Sequence, residues 1–353
     1  MESLNIVVLC GGVSTEREVS LSSGSKICNA LRSKGHRAVL VDMYVGLENM
    51  EQRYIDSPEL LFGELPIVES FRVNQTTPDL RTFDQLRKTH SESLFGIGVI
   101  EICKKADIVF IALHGMNGED GRLQATFDLL GIRYTGSGYL GSAIGMNKVL
   151  TKQLAGLAGI KTPRWESYHK ITTNSIYTIA QKIKTPCVIK TPTGGSSVGV
   201  IIVNDQEELL PAMKECLKYS DDLLVEEYIK GREFTCAVLK DRALPCVEIV
   251  PRIGGYNYAN KYLPGQTEEI CPGRLPEDKA RELGDVALKM HRLLDLRTYS
   301  RSDFIVDDNG DIYFLEINTL PGMTPTSLVP QEAATVGICY EDLCEAIIQD
   351  AMQ

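Results

Sequence analysis

The residues best placed to do chemistry lie near the C-terminus, in the stretch Arg301-Ser302-Asp303 … Glu316-Ile317-Asn318. Two runs of apolar β-formers flank Asn309-Gly310, a strong hairpin signal. With Asn309 and Gly310 as a two-residue turn, Asp308 faces Asp311, Asp303 faces Glu316 and Arg301 faces Asn318. Side chains alternate faces along a strand. Arg301, Asp303, Glu316 and Asn318 then share one face, and Phe304, Val306, Leu315 and Ile317 the other. Like charges opposed across strands destabilise a sheet, and a cation between them relieves that. Oxygen-only ligands suit magnesium with phosphate oxygens and water. A solvated polar face with Arg301 as counter-charge is the alternative.

Other positions could serve the same chemistry. Gly11-Gly12 follows an apolar strand and leads through Glu16 to a helical stretch that begins at about Glu18. Glu16 could bind an ammonium group or simply complement the helix N-terminus. His114-Gly115 ends a second apolar strand, so two glycine-bearing junctions at one sheet edge could share a crevice. Thr191 to Ser197, with Gly194, Gly195, Ser196 and Ser197, joins two strands rather than a strand and a helix. It is therefore no P-loop, although its small residues could wrap a phosphate beside Lys190; the alternative is an ordinary hairpin turn. Glu226-Glu227-Tyr228-Ile229 ends a strand where a purine nucleotide could sit, or is a solvated strand edge. Lys261-Tyr262 lies in a Gly-, Pro-, Asn- and Tyr-rich loop over 251–275, long enough to close as a lid.

These positions need a scaffold. The chain has 353 residues, 43% of them hydrophobic, enough for two or three cores. The pattern predicts a βαβ start (strand 5–9, helix 18–34, strand 38–42) and a strand over 106–113. A helix is expected over 120–130 and another over 147–157. Further strands are expected over 185–190, 198–203, 223–229, 234–239 and 244–250, with a helix over 277–294. Residues 45–105 carry no clear pattern. A net charge of −10 and a pI near 5.2 exclude a general nucleic-acid binder. Ten cysteines without a CxxC pair argue against zinc and for a reducing cytosol. No basic leader or membrane-length apolar run is present.

Taken in order, the motifs resemble the D-alanine–D-alanine ligases of the ATP-grasp superfamily. The matching blocks are GGVSTEREVSLSSG (11–24), LHGMNGEDGRLQ (113–124), YTGSG (134–138), GMNK (145–148), KTPTGGSSVG (190–199), VEEYIKGREFT (225–235), NKYLPGQTEEICP (260–272) and RSDFIVDDNGDIYFLEINTLPGMTPTSLVP (301–330). The resemblance implies an α/β, three-domain ATP-grasp fold: an N-terminal parallel-sheet domain (1–135), a central subdomain (136–226) and a C-terminal subdomain with the hairpin (227–353). It implies ATP-dependent synthesis of D-alanyl-D-alanine through a D-alanyl phosphate, for peptidoglycan precursors. D-serine as second substrate, or another carboxylate–amine ligation, is the alternative; a nucleotide-binding protein without catalysis is disfavoured because Arg301 and the candidate metal ligands are present.

By the same resemblance, Glu16 and His114 hold the first substrate, supported by Ser196 and Tyr262. Lys148, Lys190, Ser197, Glu226, Glu227, Ile229 and Glu233 hold the nucleotide, with Lys261 reaching phosphate. Asp303, Glu316 and Asn318 carry two magnesium ions, for which manganese could substitute. Arg301 and the Gly322 N–H stabilise the oxyanion, and Ser327 and Leu328 bind the second substrate's carboxylate. Small-molecule substrates and a possible homodimer are implied, in the cytoplasm, without nucleic acid or membrane. The chain departs from the family at Thr191, which separates Lys190 from Pro192, at Gly194, and at Asn147 in place of Asp.

Overall fold

A computed structural model describes residues 2–69, 71, 73, 80–195, 198–252 and 267–353. It contains three sheets. The first is parallel, with β1 (Asn5–Cys10) between β2 (Arg37–Asp42) and β3 (Ile108–Ile111). Its strands are near-continuous apolar runs because helices cover both faces; Ile6, Val7, Val8 and Leu9 are fully buried. Helix Arg17–Ser33 follows β1, and helix Arg122–Leu130 follows β3. In the segment without clear pattern, short helices form at Gln52–Asp56, Leu61–Glu64 and Val99–Lys105.

The second sheet is antiparallel, in the order β4 (Trp165–Tyr168), β7 (Leu223–Glu227), β5 (Cys187–Lys190), β6 (Val200–Val203). Helix Gln206–Cys216 packs on it, started by a capping box between Asp205 and Glu208. The glycine-bearing loop joins β5 to β6 as a hairpin connection, as expected.

The third sheet runs β11 (Thr267–Ile270), β10 (Val247–Pro251), β8 (Gly231–Leu239), β12 (Tyr299–Asp307), β13 (Ile312–Asn318), with the short β9 (Arg242–Ala243) on β8. Helix Glu277–Leu293 covers one face; its Leu283, Ala287 and Met290 meet Phe234, Phe304 and Phe314. Helix Lys148–Leu157 contributes Ala155 to this same core. Strand β11 falls inside the loop expected over 251–275. Its sequence, Thr-Glu-Glu-Ile, lacks apolar alternation because it is an edge strand paired only to β10.

The hairpin corrects one expectation and keeps another. Its turn holds three residues, Asp308-Asn309-Gly310, not two: Asp307 and Asp311 pair through Asp307 N to Asp311 O. The Asp307 carboxylate accepts from the Asn309 and Asp311 N–H groups, and Gly310 takes the left-handed φ of +81°. A one-residue bulge then follows, so that Phe304 faces Phe314 while Asp303 faces Glu316. Leu315 is the extra residue. Phe314, not Leu315, enters the core, its ring 6.0 Å from that of Phe304.

The last helix, Tyr340–Ala351, packs against helix Arg17–Ser33, which lies on the first sheet. Its Leu343, Ile347 and Ile348 join Ile27 and Leu31 in one core. His36 lies 2.8 Å from Glu345 at the rim of that contact.

Candidate active site

Local geometry first fixes the two junctions. Gly11 has φ +75°, and a Cβ there would lie 2.5 Å from the Asp42 carboxylate. Arg17 pairs with that carboxylate and donates to Gly12 O at 2.8 Å. The turn is thereby tied to β2, and Glu16 stands at the helix N-cap position without a side-chain capping bond. Its carboxylate is aimed elsewhere: a Cβ on Gly115 would come within 2.6 Å of Glu16 Oε2, and one on Gly195 within 2.8 Å. Glu16 thus sits where both glycine loops approach, which only residues lacking a side chain allow.

His114, at the second junction, is buried. Its Nδ1 lies 2.9 Å from Leu320 O and its Nε2 3.2 Å from Ser23 Oγ. A carbonyl can only accept, so Nδ1 carries the proton and Nε2 accepts from Ser23. Burial lowers the imidazole pKa, against the opposing pull of Glu16. Glu119 lies nearby and was not singled out from the sequence. Its carboxylate accepts from Gly115 N at 3.1 Å, and burial, with Glu16 adding to it, pushes its pKa up to about 8.

Across the crevice, Arg301 forks onto Asp303 with two bonds of 2.9 Å. Asp303 also accepts from Thr235 Oγ1 at 2.7 Å and Asn318 Nδ2 at 3.2 Å. Glu316 lies 3.2 Å from Lys148 Nζ. The opposed acids are therefore each held by a cationic side chain, Arg301 on one and Lys148 on the other. Gly322, Ser327 and Leu328 follow in the loop and first turn after β13. A Cβ on Gly322 would meet Ser327 Oγ at 3.3 Å. A cavity of about 470 Å³ unites Glu16, His114, Glu119, Arg301, Glu316, Asn318, Gly322, Ser327 and Leu328.

A second cavity, of about 180 Å³, lies between the second and third sheets and brings together Lys148, Lys190, Glu226, Glu227, Ile229, Glu233, Asp303 and Glu316. Asn147 caps the helix beginning at Lys148 by accepting from Val149 N and Leu150 N, as an Asp would. Lys148 Nζ donates to Gly194 O at 2.8 Å. Glu226 is buried, with Lys190 and Lys152 each 2.8 Å away. Lys152 is the other residue not found from sequence. Its i, i+4 spacing from Lys148 was the available signal, since it puts both lysines on one helix face. Burial lowers the Lys152 pKa to about 8 despite Glu226. Burial opposes ionisation of Glu226, yet the two lysines hold its pKa below the usual range. Glu227 spends its side chain on Arg164, at 2.6 Å.

The two cavities share Glu316. Ser196, Ser197, Lys261 and Tyr262 lie outside the described residues, so the lid and serine expectations are not placed. A larger, open cleft of about 630 Å³, lined in part by Arg133, His291 and Arg297, holds none of the expected residues.

Two juxtaposed cavities, one between antiparallel sheets and one against a parallel sheet, are the arrangement of an ATP-grasp ligase. Family models described as D-ala D-ala ligase N-terminus and C-terminus match residues 5–137 and 154–349. A D-alanine–D-alanine ligase of Pediococcus pentosaceus is 41% identical over 98% of this chain and 97% of its own length. That of Lacticaseibacillus casei is 39% identical over 99% and 96%. The crystal structure of the Bacillus anthracis ligase complexed with ATP aligns with a TM-score of 0.73 at 28% identity, covering 99% of this chain and 98% of that one. The VanG D-Ala:D-Ser ligase of Enterococcus faecalis aligns at 0.73 and 27% identity, covering 99% and 100%. The chain belongs to the D-alanine–D-alanine ligase family.

Proposed function

We propose that this protein joins two D-alanines into D-alanyl-D-alanine at the expense of ATP, supplying a peptidoglycan precursor. One observation carries the reading: groups suited to an amino acid and groups suited to a nucleotide meet across Glu316, the residue common to both cavities. A carboxylate oxygen is a poor leaving group. Transfer of the γ-phosphoryl group of ATP to the first D-alanine makes an acyl phosphate. The amine of the second D-alanine attacks its carbonyl, and phosphate leaves. The protein's part is positioning and charge stabilisation.

The residue roles are those the family resemblance implies, and the placement of the described ones supports them. Glu16 receives the first ammonium, with His114 beside it. Lys148 and Lys190 meet phosphates, while Glu226, Glu233 and the backbone at Glu227 and Ile229 meet the nucleoside. Arg301 and the Gly322 N–H face the tetrahedral oxyanion. Ser327 and the first-turn N–H of Leu328 take the second carboxylate, as an unpaired helix N-terminus favours. Ser196, Ser197, Lys261 and Tyr262 keep the loop and lid roles the family resemblance implies.

The hairpin acids fit a divalent cation. The donor set is oxygen throughout (Asp303, Glu316 and the Asn318 amide), and a bound cation would share with Arg301 and Lys148 the acids that those side chains hold. Among the described residues no group of three or more His, Cys, Asp or Glu is arranged to hold a metal ion; this set is two carboxylates and an amide. Magnesium bound there would shield the charge between the nucleotide phosphates and the acceptor carboxylate.

We place the divisions of the chain at 135 and 226 and the protein in the cytoplasm, where its ten free cysteines would stay reduced; a homodimer is part of the same reading. None of the helices among the described residues is long and apolar enough to cross a membrane. The test is ADP release from Mg-ATP with D-alanine, L-alanine as control, and the product identified by mass. D-alanine-dependent turnover giving the dipeptide is expected; ATP binding without it overturns the proposal. D-serine competition tests the second substrate, for which the relatives of 37–41% identity favour D-alanine.

A further inference from the structure

The substrate-side cavity, of about 470 Å³, holds four acids, Glu16, Glu119, Glu269 and Glu316. Three have positions that commit them elsewhere. Glu16 lies against Gly115 and Gly195, Glu119 is bonded to Gly115 N, and Glu316 meets Lys148. The fourth, Glu269, is half-buried on edge strand β11 and stands on the same wall as Ser327. It is built into that wall. Gln331 Nε2 donates to Glu269 Oε2 at 2.5 Å and to Thr326 O at 2.8 Å. One glutamine thus ties the carboxylate to the backbone immediately before Ser327.

Resting on the ligase reading above, we infer that Glu269 makes the second-substrate subsite selective for an ammonium-bearing acid over a hydroxy acid. A D-amino acid enters as a zwitterion of zero net charge. A 2-hydroxy acid of the same shape enters as a monoanion. Ser327 and Leu328 hold the carboxylate of either one. An acid fixed on the same wall attracts the ammonium of the first and finds no counterpart on the second. Specificity is the difference between those two interactions, and uncompensated like charge supplies most of it. Burial raises the Glu269 pKa, while the Gln331 bond and Arg301 oppose that shift.

The test is competition between D-alanine and D-lactate at the second site, with Mg-ATP and the full chain. Dipeptide and depsipeptide are counted by mass, and KM for D-alanine and for ATP are measured in parallel. Glu269→Gln keeps the shape and the bond to Gln331 and removes only charge. It should lower the dipeptide-to-depsipeptide ratio roughly tenfold and raise KM for the second D-alanine, with KM for ATP unchanged. Gln331→Met should shift both in the same direction by less, because the carboxylate stays but loses its anchor. Turnover by Glu269→Gln with ratio and KM both unchanged overturns the inference and leaves the ligase reading intact. An unmutated protein without D-alanine-dependent ADP release overturns both.

Discussion

The nucleotide-side cavity and the substrate-side cavity bury titratable groups in opposite ways. On the nucleotide side, Glu226 is buried together with two cations, and the pairing keeps it ionised. On the substrate side, His114 and Glu119 are buried without a full counter-charge, and burial drives both toward their neutral forms. A polyanionic nucleotide calls for charge held in place, and the Glu226 pair with Lys190 and Lys152 supplies it below about pH 8, where Lys152 begins to titrate. A small amino acid calls for a pocket whose hydrogen bonds are set but whose net charge is low.

The sharpest way to break this contrast is at the hairpin, where the two sides meet. Arg301→Ala removes the cation forked onto Asp303 and should cut kcat by about 10²–10³-fold while leaving the thermal transition nearly in place. A near-normal kcat would remove Arg301 from the chemistry.

Glu226→Ala leaves Lys152 and Lys190 buried without their acid. It should cost about 3–5 kcal/mol, read by denaturant unfolding, and raise KM for ATP. Adding Lys152→Met should recover part of the stability; no recovery would mean the pairing is not what holds this cavity.

The substrate side is probed by pH. An acid whose folded pKa is raised contributes stability that is full below its unfolded value and lost as pH rises through the folded one. For Glu119 that window runs from the ordinary 4.5 to about 8. His114, with a lowered pKa, works in the opposite sense, and its contribution is complete once pH exceeds 6.5. Lys152 gains stability only above about pH 8. Between those limits Glu119 dominates the group of three, so stability should fall from pH 6.5 to 8, and Glu119→Gln should flatten that slope. An unchanged slope in the variant would place the dependence elsewhere.

The smallest effect belongs to the turn. Gly310→Ala imposes a side chain at φ +81° and should cost about 1 kcal/mol with no change in KM for either substrate. A changed KM would show that the turn reaches the crevice.

The hairpin shows how much of this was legible. The sequence reading pairs Asp303 with Glu316 through a two-residue turn and an unbroken ladder. The structure pairs them through a three-residue turn and a one-residue bulge, two offsets that cancel. The functional face is the expected one, while the core face exchanges Leu315 for Phe314, because both are apolar and a bulge leaves no mark in periodicity. Strand β11 was hidden by its charges, and Glu119 by standing within a glycine-rich string whose histidine drew attention first. Lys152 had a signal, its spacing from Lys148, but its acid partner lies on a distant strand that spacing alone does not bring near. The order of motifs conveyed the family; it could not convey which of the carboxylates would be neutral, since that depends on burial.

The shared core of helix Tyr340–Ala351 and helix Arg17–Ser33 sets an order of events in the making of the protein. Ile27 and Leu31 are synthesised well before their cover, Leu343, Ile347 and Ile348. Until then helix Arg17–Ser33 carries an open apolar face, a surface of the kind chaperones bind. That helix opens at Glu16, so the substrate-side wall is backed by residues made far later along the chain.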